Sequence, residues 1–475
     1  MNAEDAAPRD LVILGGGAGG LVVASVAAQL GLRVTLVEKE DRLGGDCLHH
    51  GCVPSKTLIH AARVAWQMRR ADAVGLPAVT PEVDLGRVSD HVQAVIDRIQ
   101  VHDDPERFRA YGCEVLFGAA RFLDPHRVQV GGRVVRGRRF VIATGASPAV
   151  PPIPGLAEAG YLTHLDVFSL RRLPRRLLVL GGGPVGLELA QAFGRLGSRV
   201  MVLQRADHLL PREDPELTAR LRQCLEAEGL EIHTATAAER VEGAGGEVTV
   251  HAGGRAFRAD ALLVATGRRP NTAGLGLEAA GVAVAPGGAI QVDARLRTRR
   301  RHIYACGDVC GPFPFTHMAE YQAGIVIRNA VFRLPARVDY RAVPWVTFTD
   351  PELARVGPTE AEARARWGAV EVLRFDFRDL DRALTDGATC GQVKLLARRG
   401  RVLGGSILGP QAGELIHEIA LAAQTGARLR DLSATIHAYP TLSQVHRRAV
   451  NTYYAGALFN DRTRWLVKWL NRLLP

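Results

Sequence analysis

A four-residue apolar run, Leu11–Leu14, feeds directly into Gly15-x-Gly17-x-x-Gly20, and this junction constrains the fold more than any other stretch of the 475 residues. A short, uniformly apolar segment reads as a parallel strand buried on both faces. The Ala- and Val-rich stretch to Leu30 has helical character, and a second strand, Arg33–Val37, ends in Glu38. Each glycine has a mechanical task. The first permits the tight turn and the second lets the backbone approach a pyrophosphate. The third lets helix and strand pack closely, while the helix N-terminus faces the anion. Glu38, about 20 residues on, is placed to accept ribose hydroxyl hydrogens. A lone glycine motif says little; strand, turn, helix, strand and acid in order specify a dinucleotide fold.

The pattern recurs. Leu177–Leu180 leads into Gly181-x-Gly183-x-x-Gly186, a helix through Phe193 and a strand at Arg199–Leu203. The acidic position is now Gln204, followed by Arg205, which removes repulsion against a 2′-phosphate and offers it a cation. This second site therefore leans towards NADPH over NADH. Two further apolar strands, in Phe140–Pro148 and Leu262–Pro270, run into Ala-Thr-Gly turns that contain Thr144, Gly145 and Gly267. A last one, Ile303–Val309, puts Asp308 after a strand and a glycine, where it can hydrogen-bond a polar cofactor chain.

Length allows about three domains at roughly 150 residues each. With 47% hydrophobic and 23% charged residues the chain is not disordered, and 51 glycines without a G-X-Y period are not collagen. The net charge of +11 invites a nucleic-acid reading. However, only Lys39, Lys56, Lys394 and Lys468 are lysines, and the arginines are scattered without aromatic interleaving. A general arginine bias explains this better than a nucleic-acid footprint. Met1–Asp10 is too acidic for a signal peptide. The uncharged Leu11–Leu32 is long enough for a membrane span, but its six glycines mark a phosphate loop. The expectation is a soluble, cytoplasmic protein.

Seven cysteines are too few in this length for a disulfide scaffold. Cys113, Cys224, Cys306, Cys310 and Cys390 show no partner spacing, and buried small residues are the default for them. Cys47 and Cys52 differ. They lie in Gly44-Gly45-Asp46-Cys47-Leu48-His49-His50-Gly51-Cys52-Val53-Pro54-Ser55-Lys56, with glycines that allow an irregular turn between the sulfurs. In a reducing compartment such a pair is more often catalytic or metal-binding than structural. Cys47, Cys52, His49 and His50 offer four zinc ligands, although the crowded spacing does not match the usual two-pair pattern.

These segments together resemble the FAD-dependent pyridine nucleotide–disulfide oxidoreductases, the family of dihydrolipoamide dehydrogenase, glutathione reductase and mercuric reductase. The resemblance rests on GGxCxxxxC-x-PSK, both glycine fingerprints, both ATG turns and the ACGD segment, and it covers nearly the whole chain. It implies an α/β fold of two Rossmann-like nucleotide-binding domains, for FAD and NAD(P), and a C-terminal α+β dimerisation domain. The implied boundaries are 1–152 and 273–337 for the FAD domain, 153–272 for the NAD(P) domain, 338–461 for dimerisation, and 462–475 for a tail. The implied partner is a second copy, with an active site shared across the homodimer. NAD(P)H would reduce the flavin, and the flavin a Cys47–Cys52 disulfide. Cys52 would be the sulfur against the flavin and Cys47 the one that attacks substrate. Lys56 matches the family lysine at the flavin's reactive edge, and Glu188 its ion-pair partner.

The departures point to the acceptor. Dihydrolipoamide dehydrogenases and glutathione reductases carry a histidine and a glutamate where this chain has Tyr439 and Gln444. A phenol of pKa about 10 is a poor proton carrier near neutrality. Mercuric reductases resemble this chain in placing a tyrosine there. Their soft metal-ion substrate needs thiolates more than a proton shuttle. Pro184 in GGGPVGLELAQAF also matches that branch. Against it, no cysteine follows Cys390, and no Cys-x-x-Cys precedes the fingerprint at Gly15 in these residues. The expected function is a Hg(II)-type metal-ion reductase, with a lipoamide-type disulfide reductase or a slow flavin redox sensor as alternatives. No resident metal site is expected: Asp46, which replaces a usual threonine, and His49 and His50 read first as shaping the turn. In the tail, Trp465, Leu466, Trp469, Leu470 and Leu473 share one helical stripe, read as a face docked on the protein, with an interfacial membrane helix as the alternative.

Overall fold

The computed structural model describes residues 7–473, which divide into two compact units. The first comprises residues 1–181, 195–198 and 239–338. Its centre is a five-stranded parallel sheet in the order 303–305, 140–142, 11–14, 34–38, 113–117. Side chains alternate across a strand, so one apolar run serves two cores. Leu11 and Ile13 face Val23, Ala24 and Ala27 of the helix Ala18–Gln29 and Ala323 and Val326 of the helix Thr316–Val326. Val12 and Leu14 face the opposite way, onto Phe122, Val128 and Val130 of a three-stranded antiparallel ribbon. Burial on both sides is why Leu11–Leu14 carries no polar residue. The unit also holds a parallel pair, Arg176–Leu180 with Ala261–Val264, and an antiparallel ladder of Ala146–Pro148 with Arg268–Pro270.

The second unit comprises residues 182–194, 199–238 and 339–475. A parallel pair, Arg199–Leu203 with Glu231–His233, belongs to the second fingerprint. The C-terminal part is a five-stranded antiparallel sheet in the order 344–347, 352–356, 401–409, 392–398, 371–376. The helices Ala412–Thr425 and Gln444–Leu458 contribute Ile416, Ile419, Val445 and Ala449 to its core, against Ala354, Val393, Leu395 and Ile407.

One expectation is corrected within this unit. Cys224, on the helix Pro215–Ala227, and Cys390, ahead of the strand Gln392–Arg398, are joined in a disulfide. The pairing spans 166 residues, so no local spacing could reveal it. The same helix start is tied to the same sheet by charge: Lys394 Nζ lies 2.7 Å from Asp214, 3.0 Å from Glu216 and 2.7 Å from Glu360. Glu360 is held down to about 2: burial pushes its carboxyl up, but the hydrogen bonds from Lys394 and Arg364 and the Lys394 charge outweigh that. For Cys113, Cys306 and Cys310 the default of buried thiols holds; burial pushes Cys113 up to about 11 and Cys310 to about 12.

Candidate active site

The first glycine loop has the geometry its sequence asks for. Gly15 has φ +110°, and a Cβ there would meet the Ala143 carbonyl oxygen at 2.3 Å. A Cβ on Gly20 would lie 1.9 Å from the Gly15 oxygen, so these two glycines are required by the protein itself. Gly17 is different: an added Cβ meets only Gly45 Cα, at 3.7 Å. Its bareness keeps open the space above the helix start rather than relieving a clash. Glu38 accepts from Gly16 N at 2.6 Å and from Glu40 N at 3.0 Å, which fixes its carboxylate beside the loop. This cradle fits a pyrophosphate and a ribose. The second loop repeats the plan: Gln204 Oε1 accepts from Gly182 N at 3.1 Å, as Glu38 does from Gly16. Gly181 is blocked by the Ala265 oxygen at 2.4 Å, whereas a Cβ on Gly183 meets nothing within 4 Å. Gly186 lies in the first turn of the helix Pro184–Leu196, and Arg205 is exposed beside Gln204.

The two Ala-Thr-Gly turns are laced into one structure. Thr144 Oγ1 donates to Asn271 O at 2.8 Å, Asn271 N donates to Gly145 O at 2.9 Å, and Thr266 Oγ1, just before Gly267, donates to Ala149 O at 2.8 Å. Asp308 stands nearby. Burial pushes its carboxyl above the ordinary range against the pull of Arg268, whose Nε lies 3.6 Å away.

Cys47 sits in a single helical turn, Gly45–His49, which ends at the bend that opens the helix Cys52–Arg69. The two sulfurs are not joined; the pair is present as a dithiol. Their environments are unequal. The Cys47 thiol is pushed far up, first by its hydrogen bond to Cys52 and then by burial. Cys52 is the first residue of an 18-residue helix, where the helix dipole favours negative charge. Its Sγ also lies 3.4 Å from Thr316 Oγ1, at the start of another helix. Hydrogen bonds from Thr316 and from the Cys52 backbone pull the Cys47 thiol back down, but less than Cys52 and burial push it up.

Around this pair, Asp46 is more than a turn former. Its Oδ2 pairs with Arg268 Nη2 at 2.9 Å and its Oδ1 lies 3.1 Å from His164 Nε2. Burial alone would raise the Asp46 carboxyl, but His164 and Arg268 outweigh it and hold it below the usual range. His49 Nε2 donates to Leu43 O at 2.8 Å, and burial lowers the pKa of both His49 and His50. His49 is thus committed to the turn. Among the described residues no group of three His, Cys, Asp or Glu is placed to hold a metal ion.

The remaining positions lie as follows. Lys56 Nζ donates to Ser55 Oγ at 3.3 Å, in the first unit. Glu188, in the second unit, accepts from Phe348 N at 2.9 Å. Tyr439 is 68% exposed, and Gln444 is half-buried as the first residue of its helix. His437 faces inward with its side chain 5% exposed and Nε2 3.1 Å from Glu418 Oε1. Thr316, His164, Arg268 and Glu418 were not singled out from sequence. Thr316 and Arg268 flank the ACGD and ATG segments, a signal that was present; His164 and Glu418 have none.

The geometry agrees with what the chain is similar to. Residues 9–323 match the family described as pyridine nucleotide-disulphide oxidoreductase, and residues 343–450 match its dimerisation domain. A mercuric reductase of Staphylococcus aureus is 34% identical over 450 residues, covering 94% of this chain and 82% of that protein. A dihydrolipoyl dehydrogenase of Thermus scotoductus is 39% identical over 464 residues, covering 94% and 98%. Among solved structures, the Cu(II) complex of the HOCl-induced flavoprotein disulfide reductase RclA from Escherichia coli superposes with a TM-score of 0.86 at 31% identity, covering 93% of this chain and 99% of that one.

Proposed function

The chain belongs to the pyridine nucleotide-disulphide oxidoreductases, and within that family we propose that it is a metal-ion reductase acting on thiol-complexed Hg(II). Members of this family use FAD and NAD(P)H, and the dimerisation domain supports a homodimer. FAD, when bound, relays the electron pair of the nicotinamide hydride to the two sulfurs. Gly15, Gly17, Gly20 and Glu38 would hold its pyrophosphate and ribose, with Gly45, Thr144, Gly145 and Asp308 along the rest of the cofactor. Gly181, Gly183, Gly186 and Gly267 would receive the nicotinamide nucleotide, with Gln204 and Arg205 favouring NADPH. The four-part division of the chain given by the resemblance is part of the same proposal.

The observation that carries the substrate reading is the pairing of a dithiol with the Tyr439-to-Gln444 segment. A disulfide substrate needs a proton delivered to its leaving thiolate, which imidazole does well and an exposed phenol does poorly. His437, by contrast with the exposed Tyr439, has its side chain buried with the ring against Glu418. A soft metal ion instead displaces protons from two thiols and needs no such carrier. The net reaction balances as Hg(SR)2 + NADPH + H+ giving Hg(0), NADP+ and two RSH. Cys52 and Cys47 take the metal by thiol exchange, and by the family's dimer arrangement one protomer's Tyr439 meets its partner's sulfurs as an oxygen ligand. Lys56 and Glu188 would set the charge at the flavin's edge.

A second reading has its own support in the 39% identical dihydrolipoyl dehydrogenase. NADPH oxidation by the purified holoenzyme separates the two. Turnover with thiol-complexed Hg(II), and none with lipoamide or glutathione disulfide, is expected; fast lipoamide turnover would sink the metal-ion reading.

A further inference from the structure

The last helix, Asp461–Leu473, has no buried residue. Its Trp465 is 66% exposed and Leu473 58%, with Leu466, Trp469 and Leu470 also open, and the indoles of Trp465 and Trp469 stack at 6.4 Å between centroids. At 3.6 residues per turn these five side chains occupy an arc of roughly 140°. Arg464, Lys468 and Asn471 fill the opposite side, and Arg472 lies at the edge of the arc beside Trp465. Arg462 falls at the N-terminal end of the apolar arc, where its long stem can lie along apolar surface with the guanidinium at the edge. Leu458 and Phe459, just ahead, extend the exposed apolar surface. The only carboxylate, Asp461, is paired with Arg464 at 3.3 Å.

We propose that this helix is a membrane-surface element that lies flat in the interface of an anionic phospholipid bilayer. The charge pattern chooses the occupant. A cationic face beside a tryptophan and leucine face matches acidic headgroups above acyl chains, the two layers such a helix meets when it lies in the plane. A second copy packed on the apolar face would leave the cations of both helices outside the contact, with only Asp461 of each helix to offset them. The match to the family's dimerisation domain also ends at residue 450, before the helix begins. Among the described residues no helix is long and apolar enough to cross a membrane, and 13 residues rise only about 20 Å, which suits lying in the interface rather than spanning it. In a homodimer the two helices would bind with raised effective concentration if both face one bilayer.

The test is co-sedimentation of the full-length holoenzyme with vesicles of phosphatidylcholine alone or with about one third phosphatidylglycerol, at low and high salt. Binding to the anionic vesicles is expected, weakened by salt, with a blue shift of tryptophan emission. The double variant Trp465→Ser, Trp469→Ser and the triple variant Arg464→Gln, Lys468→Gln, Arg472→Gln should each lower partitioning at least tenfold. Both leave NADPH oxidation unchanged, which shows that the protein is folded. Partitioning unaffected by either variant would overturn the proposal, as would equal binding to neutral vesicles. Conversion of the dimer to monomer by the tryptophan variant, seen by light scattering, would also overturn it and assign the face to a second copy.

Discussion

At the scale of single residues, Cys52 Sγ lies 3.4 Å from Thr316 Oγ1. Cys47 and Cys52 are legible from spacing; that hydroxyl, 264 positions away from Cys52, also hydrogen-bonds Cys47 and lowers its thiol against the larger push of Cys52 and burial. Replacing Thr316→Val removes a hydroxyl that can stabilise a thiolate at the Cys47–Cys52 pair. The pH at which that thiolate forms should rise by roughly one unit, read from the pH dependence of alkylation of the reduced enzyme. His446 is a polar residue that nothing in its sequence neighbourhood marks for a core. It is fully buried, and among the described residues neither ring nitrogen has a hydrogen-bond partner. Burial, and then the His437 charge, push it down to about 3 from 6.5. The unfolded chain therefore binds this proton more tightly, so the folded state loses stability as pH falls from about 6.5 towards 3. At pH 5 the penalty is about 2 kcal/mol. His446→Leu is expected to raise the denaturation midpoint at pH 7 and to flatten its decline between pH 7 and 5. An unchanged pH slope would mean that the imidazole finds a partner.

At the scale of elements, both fingerprints were legible because their glycines answer to backbone geometry that has few solutions. The structure adds which glycine answers to what. Gly20→Ala drives a Cβ into the Gly15 oxygen and should abolish soluble expression. Gly17→Ala meets only an ordinary contact within the protein, so the variant should fold and lose bound flavin. Gly183→Ala has open space on every side; it should keep its flavin and raise KM for NADPH. Flavin absorbance per mole of protein and KM together distinguish the three, and a flavin-replete Gly17→Ala would break the argument. Element ends were less legible. The strand expected over Arg33–Val37 runs Val34–Glu38, and the helix expected to reach Phe193 continues to Leu196. Termini depend on capping contacts that periodicity does not record.

At the scale of the molecule, the α/β architecture follows from motifs in sequence order and the C-terminal α+β domain from the family resemblance, while the cross-link between Cys224 and Cys390 follows from neither. Its half-buried and exposed cysteines belong to segments that sequence places far apart and only the assembled sheet brings together. Non-reducing peptide mapping should recover the two cysteines on one joined fragment. Cys390→Ser should cost up to about 5 kcal/mol on the chain-entropy account, and reductant should lower the wild type to the same level. Equal stability with and without reductant would show that the cross-link constrains little. The bond also turns 166 residues of an otherwise linear polymer into a closed ring. Stretched by its two ends, the oxidised chain would carry the load across the sulfur bridge and leave the ring slack. Roughly 600 Å of contour length would then stay hidden until the bridge is reduced, so a pulling instrument could count the redox state of one molecule as a step in its length.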